Sequence, residues 1–243
     1  MQKVLYGAVA LPIVKYGAVL WYDVVSKVTV KRNIWALQRA LLLLMTKACR
    51  TTSTAAMQII AGAKPLDLEV VEDALLKRIK RNLTTTWESY HYMEKGDEQF
   101  HELLSEEIER IRSYITSKWQ SAWRHETHGR ETYEFIPDVT FAIRNRSWFA
   151  PSRLVTYLIT GYGPINYTLH KRGLSDISGC PICDECNETT DHIIFNCVGY
   201  QNYRWTEFPE HRDQKQKLIQ DKDTLEKFNN FAKNVFERRS ITM

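Results

Sequence analysis

The sequence predicts an all-α protein, in which a helical bundle is followed by a small zinc-knuckle module and a C-terminal helix. Apolar residues recur at intervals of three and four along most of the 243 residues, which is the period of an amphipathic helix. No long segment alternates apolar and polar residues with the period of two that marks a half-buried strand. Four cysteines and a histidine cluster near the end of the chain, in a region too small to bury its own core. We therefore expect helices throughout, with a metal ion stabilising this last region.

The first predicted helix covers residues 4–22 and is apolar on nearly every side. Pro12 lies in its middle, and because proline has no amide N–H we expect a kink or a break there. The near-continuous hydrophobicity predicts a helix that is buried on most sides, as in a chain whose packing partner lies upstream. Lys15 interrupts the apolar run before it reaches the length that spans a membrane, so we predict neither a signal peptide nor a membrane segment.

Four more helices are predicted before the first domain boundary. Ser53 or Thr54 can cap the second of them, which ends near Gly62. His125 and His128 follow the last one and lack acidic or thiol partners at ligand spacing, so we interpret them as helix-end histidines in solvent. The four helices cover about 27–48, the short segment up to Gly62, 65–87 and 100–123.

The helical pattern loosens from residue 129 to residue 151, where we place a boundary. Beyond it, short helices are predicted over 152–160 and 165–172, the first of them stopped by a glycine-rich turn. A charged amphipathic helix is predicted over 214–237. Between these helices lies the cysteine-rich segment.

Four soft metal ligands are separated by two, eight and four residues, namely Cys180, Cys183, His192 and Cys197. A Cys-x-x-Cys turn supplies two ligands of a tetrahedral Zn²⁺ ion, and a neighbouring turn can supply the other two. Four protein ligands leave no position for water, so the predicted ion is structural rather than catalytic. Cys186 could replace Cys183 or stay free, and unbonded or disulfide-paired cysteines are the alternative to a zinc site. Cys49 is interpreted as a buried small hydrophobe in a helical run.

Basic residues concentrate just before these cysteines. Between Asp138 and Arg172 there are five basic residues and one acidic residue, so this segment carries the whole net charge of +4. A basic strip beside a zinc knuckle suits a polyanion, although a solvated surface would have the same composition. The predicted phosphate contacts are Arg144, Arg146, Arg153, Lys171 and Arg172, with Arg39 and Arg50 as further candidates in the helical bundle.

Catalytic signatures are absent from the sequence. It contains no Asp-Asp pair of the kind that holds two Mg²⁺ ions in a polymerase, no phosphate-binding glycine loop and no Gly-x-Ser-x-Gly or His-Glu-x-x-His motif. We therefore expect that the chain alone is not an enzyme. Clustered thiols with one left over indicate a reducing compartment, and we predict an intracellular, nuclear protein.

In order and spacing, several motifs together resemble the C-terminal part of a non-LTR retrotransposon reverse transcriptase polyprotein of the insect site-specific and jockey-like groups. The landmarks are Tyr16-Gly17-Ala18 with Trp21, Gln38-Arg39, Arg50-Thr51-Thr52-Ser53-Thr54, Gly62 with Pro65-Leu66-Asp67-Leu68, Trp119 and Trp123, Gly129-Arg130 with Thr132, Thr160-Gly161-Tyr162-Gly163, and the Cys-His knuckle. The resemblance covers most of residues 4–205. This chain has Tyr162 where the family often has histidine, and Cys186 is additional to the family pattern.

The resemblance implies that the bundle is the polymerase thumb, which grips the template–primer duplex. It implies a thumb over residues 4 to about 90 and a linker with a CCHC zinc finger that binds RNA or DNA over about 130–210. We therefore divide the chain into a thumb-like helical region (1–128), a linker and zinc-finger module (129–210) and a C-terminal amphipathic helix (211–243). It also implies an RNA-directed DNA polymerase with an endonuclease as the parent protein, whose upstream reverse-transcriptase domains are potential partners. No membrane partner is implied.

Residual enzyme activity would require a second chain that supplies a polymerase palm. Two other hypotheses remain open from the sequence. In one, the chain is a host-adapted protein-interaction module in which zinc only stabilises the fold. In the other, it is a non-functional pseudogene product. Pull-down with polynucleotides and with proteins separates nucleic-acid binding from protein interaction.

Overall fold

The computed structural model describes residues 2–209 and 214–242. The described chain is mostly helical, which confirms the predicted fold class. Its α-helices are α1 Gln2–Leu5, α2 Leu11–Lys15, α3 Ala18–Trp21, α4 Val28–Thr46, α5 Thr54–Ala61, α6 Leu66–Ile79, α7 Asp97–His125, α8 Arg130–Phe135, α9 Val139–Asn145, α10 Arg153–Thr160, α11 Asn166–Lys171, α12 Gln201–Glu207 and α13 Lys222–Thr242.

Two kinds of helical turn and one hairpin complete the secondary structure. The π-helical turns are Tyr6–Ala10 and His192–Asn196, and the 3₁₀ turns are Tyr22–Ser26, Val198–Tyr200 and Lys215–Ile219. Strands β1 (Thr85–Trp87) and β2 (Tyr90–Tyr92) pair antiparallel, with Thr86 opposite His91. No single helix of the described residues is long and apolar enough to cross a membrane, and only the bent pair Tyr6–Lys15 and Ala18–Ser26 meets that test when taken together.

The chain groups into two compact units. The N-terminal unit contains Met1–Leu41 and Ala63–His125, and the C-terminal unit contains Leu42–Gly62 and Glu126–Met243. The division into a thumb-like region, a zinc-finger module and a C-terminal helix stays a prediction.

In the N-terminal unit, α6 is the central helix. Its residues Val71 and Leu75 are fully buried, and α7 packs against it with Ile115 and Trp119. Gln38 of α4, also fully buried, donates to the Tyr6 hydroxyl at 2.7 Å and to a backbone carbonyl at 2.8 Å. Because a buried amide requires such partners, this side chain joins α4 to the N-terminal turns.

The predicted first helix differs from the observed one. Pro12 is the second residue of α2, where a missing amide N–H is tolerated, and it follows a π-helical turn. The break occurs instead at Gly17, whose φ of 65° is a conformation that favours glycine, and the segments on either side are bent by 49°. The segment is also not buried on most sides, since Ile13 is 68% exposed and Leu20 is 87% exposed.

The helix predicted over 65–87 ends at Ile79. Asn82 adopts a left-handed φ of 52°, and its side chain is fixed by the Tyr92 hydroxyl at 2.7 Å and by two backbone groups of Lys95. These contacts turn the chain into the β1–β2 hairpin, which the sequence analysis did not predict. The tertiary contacts of Asn82 therefore override the apolar helical period in this segment.

In the C-terminal unit, α13 packs against α10 and α12. Its aromatic residues Phe228 and Phe231 are fully buried, and Phe228 stacks near Phe135 of α8 at a ring separation of 6.1 Å. The segment 129–151, predicted as irregular, contains the two short helices α8 and α9. The Asp138 carboxylate caps α9 by accepting the Thr140 amide at 2.8 Å, a local signal that the sequence analysis missed.

Candidate metal centre

The first two candidate metal ligands lie on a tight hairpin loop. An antiparallel bridge joins Gly179 and Asn187, and the Cys180 amide donates to the Cys186 carbonyl at 2.8 Å. Within this loop the Asp184 amide donates to the Cys180 carbonyl at 3.0 Å, with Asp184 at a left-handed φ of 57°. The loop closes because Asp184 tolerates this conformation, and it places the two thiols of the Cys-x-x-Cys turn on one side.

The other two candidate ligands lie on the π-helical turn that follows. The Thr189 hydroxyl accepts the His192 amide at 3.1 Å and so starts the turn. The turn ends where the Cys197 amide donates to the His192 carbonyl at 2.7 Å. One wide turn therefore brings the imidazole and the last thiol to the same side of the chain.

The ligand atoms of Cys180, Cys183, His192 and Cys197 all lie within 4.8 Å of one another. The Cys180 and Cys197 sulfurs are 3.7 Å apart, and the Cys183 sulfur is 3.4 Å from Nε2 of His192. Tetrahedral zinc, with Zn–S of about 2.3 Å and Zn–N of about 2.0 Å, requires separations of about 3.8 Å and 3.5 Å. These two pairs therefore have the separations of tetrahedral ligands, and the other pairs lie within 4.8 Å, close enough for one ion to be shared.

Burial changes the pKa values of three of the four candidate ligands, namely Cys180, His192 and Cys197. Burial raises the pKa of the Cys180 thiol to about 12, and the backbone amides of Ile182 and Cys183, which donate to this sulfur, act against that rise. Burial lowers the pKa of His192, so the imidazole is neutral at pH 7 and has a lone pair for a metal. A divalent cation would hold the buried thiols as thiolates, which the apolar surroundings alone disfavour.

The structure distinguishes the candidate cysteines. Cys186 is exposed and its sulfur lies outside the group of four, while Cys183 lies within it. Cys49 follows the end of α4 and is half-buried, so it is not the buried helical residue that the sequence analysis expected. The described part of the chain has no disulfide, and all five cysteines are free.

Gly199 allows the two ligand-bearing turns to touch. A Cβ at this position would overlap Cγ2 of Ile182 and would lie 3.7 Å from the Cys197 sulfur. The Gly199 amide also donates a hydrogen bond to the Cys197 sulfur. A side chain here would therefore push the Cys197 turn away from the Cys-x-x-Cys turn.

A buried ion pair attaches the candidate metal-binding loop to the C-terminal helix α13. Glu188 is fully buried and accepts two hydrogen bonds from Arg239 of α13, at 2.6 and 2.7 Å. The Asn166 amide donates to the same carboxylate at 2.7 Å, and the Asn166 side chain donates to the Gly179 carbonyl at 2.9 Å. No local sequence pattern indicates this network, because Glu188 and Arg239 are 51 residues apart.

Two more cations support the loop. Arg204 of α12 is buried and donates to the carbonyls of Ile193 and Cys197 at 3.4 and 2.5 Å. The Lys215 ammonium lies 2.5 Å from Asp191, 3.4 Å from Glu131 and closer still to Glu134. These three carboxylates also lie at metal-binding separation, but the ammonium of Lys215 already neutralises part of their charge.

The predicted phosphate contacts are divided between the units. Arg39 lies on α4 in the N-terminal unit and is half-buried, whereas the exposed ones in the C-terminal unit are Arg50, Arg144, Arg146, Arg153, Lys171 and Arg172. Burial raises the pKa of the Cys49 thiol and the charges of Arg153 and Arg172 act against it, so both guanidinium groups lie near Cys49. In the described structure, Arg144, Arg153, Lys171 and Arg172 form no ion pair.

The chain is similar to proteins of insect type-1 retrotransposable elements. It is 33% identical over 204 residues to the 115 kDa protein in type-1 retrotransposable element R1DM of Drosophila melanogaster. The aligned residues cover 84% of this chain and 20% of that protein. It is 32% identical over 198 residues to a retrovirus-related Pol polyprotein from element R1 2 of Nasonia vitripennis, covering 80% of this chain and 46% of the relative.

A third relative, the retrovirus-related Pol polyprotein from element R1 of Bradysia coprophila, is 30% identical over 249 residues, which is 99% of this chain and 24% of the relative. The chain thus spans from a fifth to just under half of the length of these three proteins. No family model and no solved structure matches. The chain is therefore a homologue, over most of its length, of the C-terminal part of R1 non-LTR retrotransposon Pol polyproteins.

Proposed function

We propose that this chain is a nucleic-acid-binding fragment of a retrotransposon polyprotein, held in shape by a structural Zn²⁺ ion. Cys180, Cys183, His192 and Cys197 would bind the ion and so join the two ligand-bearing turns. Because protein side chains would occupy all four coordination positions, the ion would stabilise the fold and would not bind a reactive water molecule. The observation that carries the metal assignment is the separation of 4.8 Å or less among the four ligand atoms.

Metal content after purification without added chelator tests the zinc site. We expect one zinc ion per chain by elemental analysis, and we expect Cys183→Ser to lose it. Cys186→Ser is the matched control, because Cys186 lies in the same loop but outside the group of four. Loss of zinc from Cys186→Ser but not from Cys183→Ser would contradict the assignment.

Nucleic-acid binding is supported by the unpaired cations of the C-terminal unit. Arg144, Arg153, Lys171 and Arg172 are exposed and form no ion pair in the described part of the chain. Phosphate contacts of this kind provide affinity without sequence choice. The similarity to Pol polyproteins is consistent with a nucleic-acid partner. The cations are single and spread out, so they match the repeated charges of a polyanion better than a compact acidic patch on a protein.

Salt dependence tests this second assignment. On duplex DNA, the logarithm of the affinity should fall with the logarithm of salt concentration by about 0.9 for each neutralised phosphate. We expect Lys171→Gln with Arg172→Gln to reduce this slope by about two. Lys227→Gln is the control, since Lys227 is exposed in the same unit but already pairs with Asp223 at 2.7 Å. An affinity that does not change with salt would refute phosphate binding.

The exposed apolar residues of the N-terminal unit favour a second candidate function, contact with another protein. Val4 and Ile13 are each 68% exposed and Leu20 is 87% exposed on consecutive short helices. The upstream polymerase domains that the resemblance implies are the proposed partner. Co-expression with an upstream fragment should recover a complex from the wild-type chain, and Leu20→Glu should weaken it. The chain alone should not extend a primer.

A further inference from the structure

A cavity of about 370 Å³ lies in the C-terminal unit beside the proposed zinc site. Its wall is formed by the turn after α10, by α11 and by the two threonines that precede the π-helical turn. The residues that matter for its chemistry are Tyr162, Tyr167, Lys171, Arg172, Thr168 and Thr190. A volume of this size is in the range of small-ligand sites and is too small for a duplex.

The threonine side chains of the wall are already bonded within the protein. Thr168 donates to the Gly161 carbonyl at 2.9 Å, and Thr190 donates to the Glu131 carboxylate at 3.2 Å. Glu131 also faces the Lys215 ammonium at 3.4 Å, but Glu134 and Asp191 share that ammonium. This part of the cavity is therefore a fixed wall that keeps some negative charge.

Two tyrosines and two cations of the lining have side chains that are not bonded within the described part of the protein. Tyr162 and Tyr167 are half-exposed, and within the described chain neither ring stacks on another ring or on a cation, and neither hydroxyl has a hydrogen-bond partner. Lys171 and Arg172 are exposed and form no ion pair. A ligand that satisfies all four groups must carry an aromatic ring and a negative charge.

We propose that this cavity binds one unpaired nucleobase of a single strand, with a tyrosine ring against the base. Lys171 and Arg172, which line the cavity and are exposed, would contact the phosphates that flank the base. This inference rests on the proposed function and specifies the part of the nucleic acid that the C-terminal unit recognises. A paired base cannot enter, because both of its faces are covered in the duplex, so the cavity predicts a preference for single strands.

Fluorescence anisotropy with the zinc-loaded full chain tests the cavity. The probes are a labelled single strand of about a dozen nucleotides, as RNA and as DNA, and a blunt duplex of the same sequence. Stacking of one base on one aromatic ring predicts that Tyr162→Ala or Tyr167→Ala weakens single-strand binding about tenfold or more. Duplex affinity should change less than about twofold, because phosphate contacts alone support it.

Conservative and distant substitutions serve as controls. Tyr162→Phe and Tyr167→Phe keep the rings and should retain wild-type single-strand affinity. Tyr16→Ala, at an 87% exposed ring in the N-terminal unit, should change nothing. Zinc content and circular dichroism identify a variant that fails to fold, and in that case the other tyrosine variant decides the question.

The outcomes separate the two proposals. If the wild-type chain binds nucleic acid but neither alanine variant loses single-strand affinity, the cavity is refuted and the proposed function stands. Equal losses for single strands and duplex would also refute it, because a base-binding site acts on single strands alone. If the wild-type chain binds neither probe, the proposed function fails, and the cavity assignment fails with it.

Discussion

Breaking the buried pair between Glu188 and Arg239 should destabilise the chain more than any surface substitution. In Arg239→Met the fully buried Glu188 carboxylate loses two hydrogen bonds, at 2.6 and 2.7 Å, and keeps one from the Asn166 amide. Each hydrogen bond to a charged group contributes about 1.5–3 kcal/mol, and removal of one partner from a buried pair costs about 3–5 kcal/mol. We expect a loss of about 3–5 kcal/mol, which lowers Tm by roughly 10 °C for a chain of this length.

The assay is urea unfolding of the zinc-loaded chain, followed by circular dichroism. Glu188→Gln combined with Arg239→Met is the matched variant, since the amide oxygen can still accept the Asn166 N–H but no buried charge remains. We expect this double variant to be more stable than Arg239→Met alone. A free energy of unfolding for Arg239→Met within about 1 kcal/mol of wild type would show that the pair is solvated, and would refute the reasoning.

The pH dependence provides an independent check. Burial raises the pKa of Glu188, although the Asn166 amide and Arg239 act against the rise. An acid whose pKa is higher in the folded chain contributes stability at low pH, and this contribution is lost as pH rises through the folded pKa. In Arg239→Met the buried Glu188 carboxylate becomes protonated, and so uncharged, as the pH falls. The difference in free energy of unfolding between Arg239→Met and the more stable double variant should therefore decrease at low pH. Both variants keep the same metal ligands, so loss of zinc in acid cancels in the comparison.

Three further substitutions test local features. Gly199→Ala should lower zinc affinity, measured by competition with a chelator, because its Cβ would overlap Ile182; an unchanged affinity would contradict the close contact of the two turns. Lys215→Met should cost about 1–2 kcal/mol in urea unfolding, since it leaves Asp191 and two other part-exposed carboxylates without their shared cation; wild-type stability would refute this. Ser53→Ala should cost about 1 kcal/mol, because Ser53 accepts the amide at the start of α5, whereas Ser53→Asp should preserve stability.

Local sequence patterns predicted the features that depend on a few neighbouring residues. Ser53 and Gly62 bound α5 as expected, because an N-cap hydroxyl and a residue with positive φ act within one turn of the helix. Likewise, the Cys-x-x-Cys turn brings two thiols together through backbone geometry alone. The sequence therefore indicated the candidate ligands, with Cys186 as an alternative to Cys183, and both the ligand set and its metal occupancy stay predictions.

Other features depend on contacts between distant segments, which no local pattern contains. Cys183 and Cys186 are equivalent by spacing, and only the folded hairpin loop turns one inward and leaves the other exposed. The partner of Glu188 lies 51 residues away, on a helix that looks in sequence like any charged amphipathic helix. The sequence by itself thus determined the mostly helical fold, the bounds of α5 and the candidate ligands, because those arise from short-range geometry and periodicity. Tertiary structure alone decided which groups are buried together, because burial and charge pairing depend on packing across the whole unit.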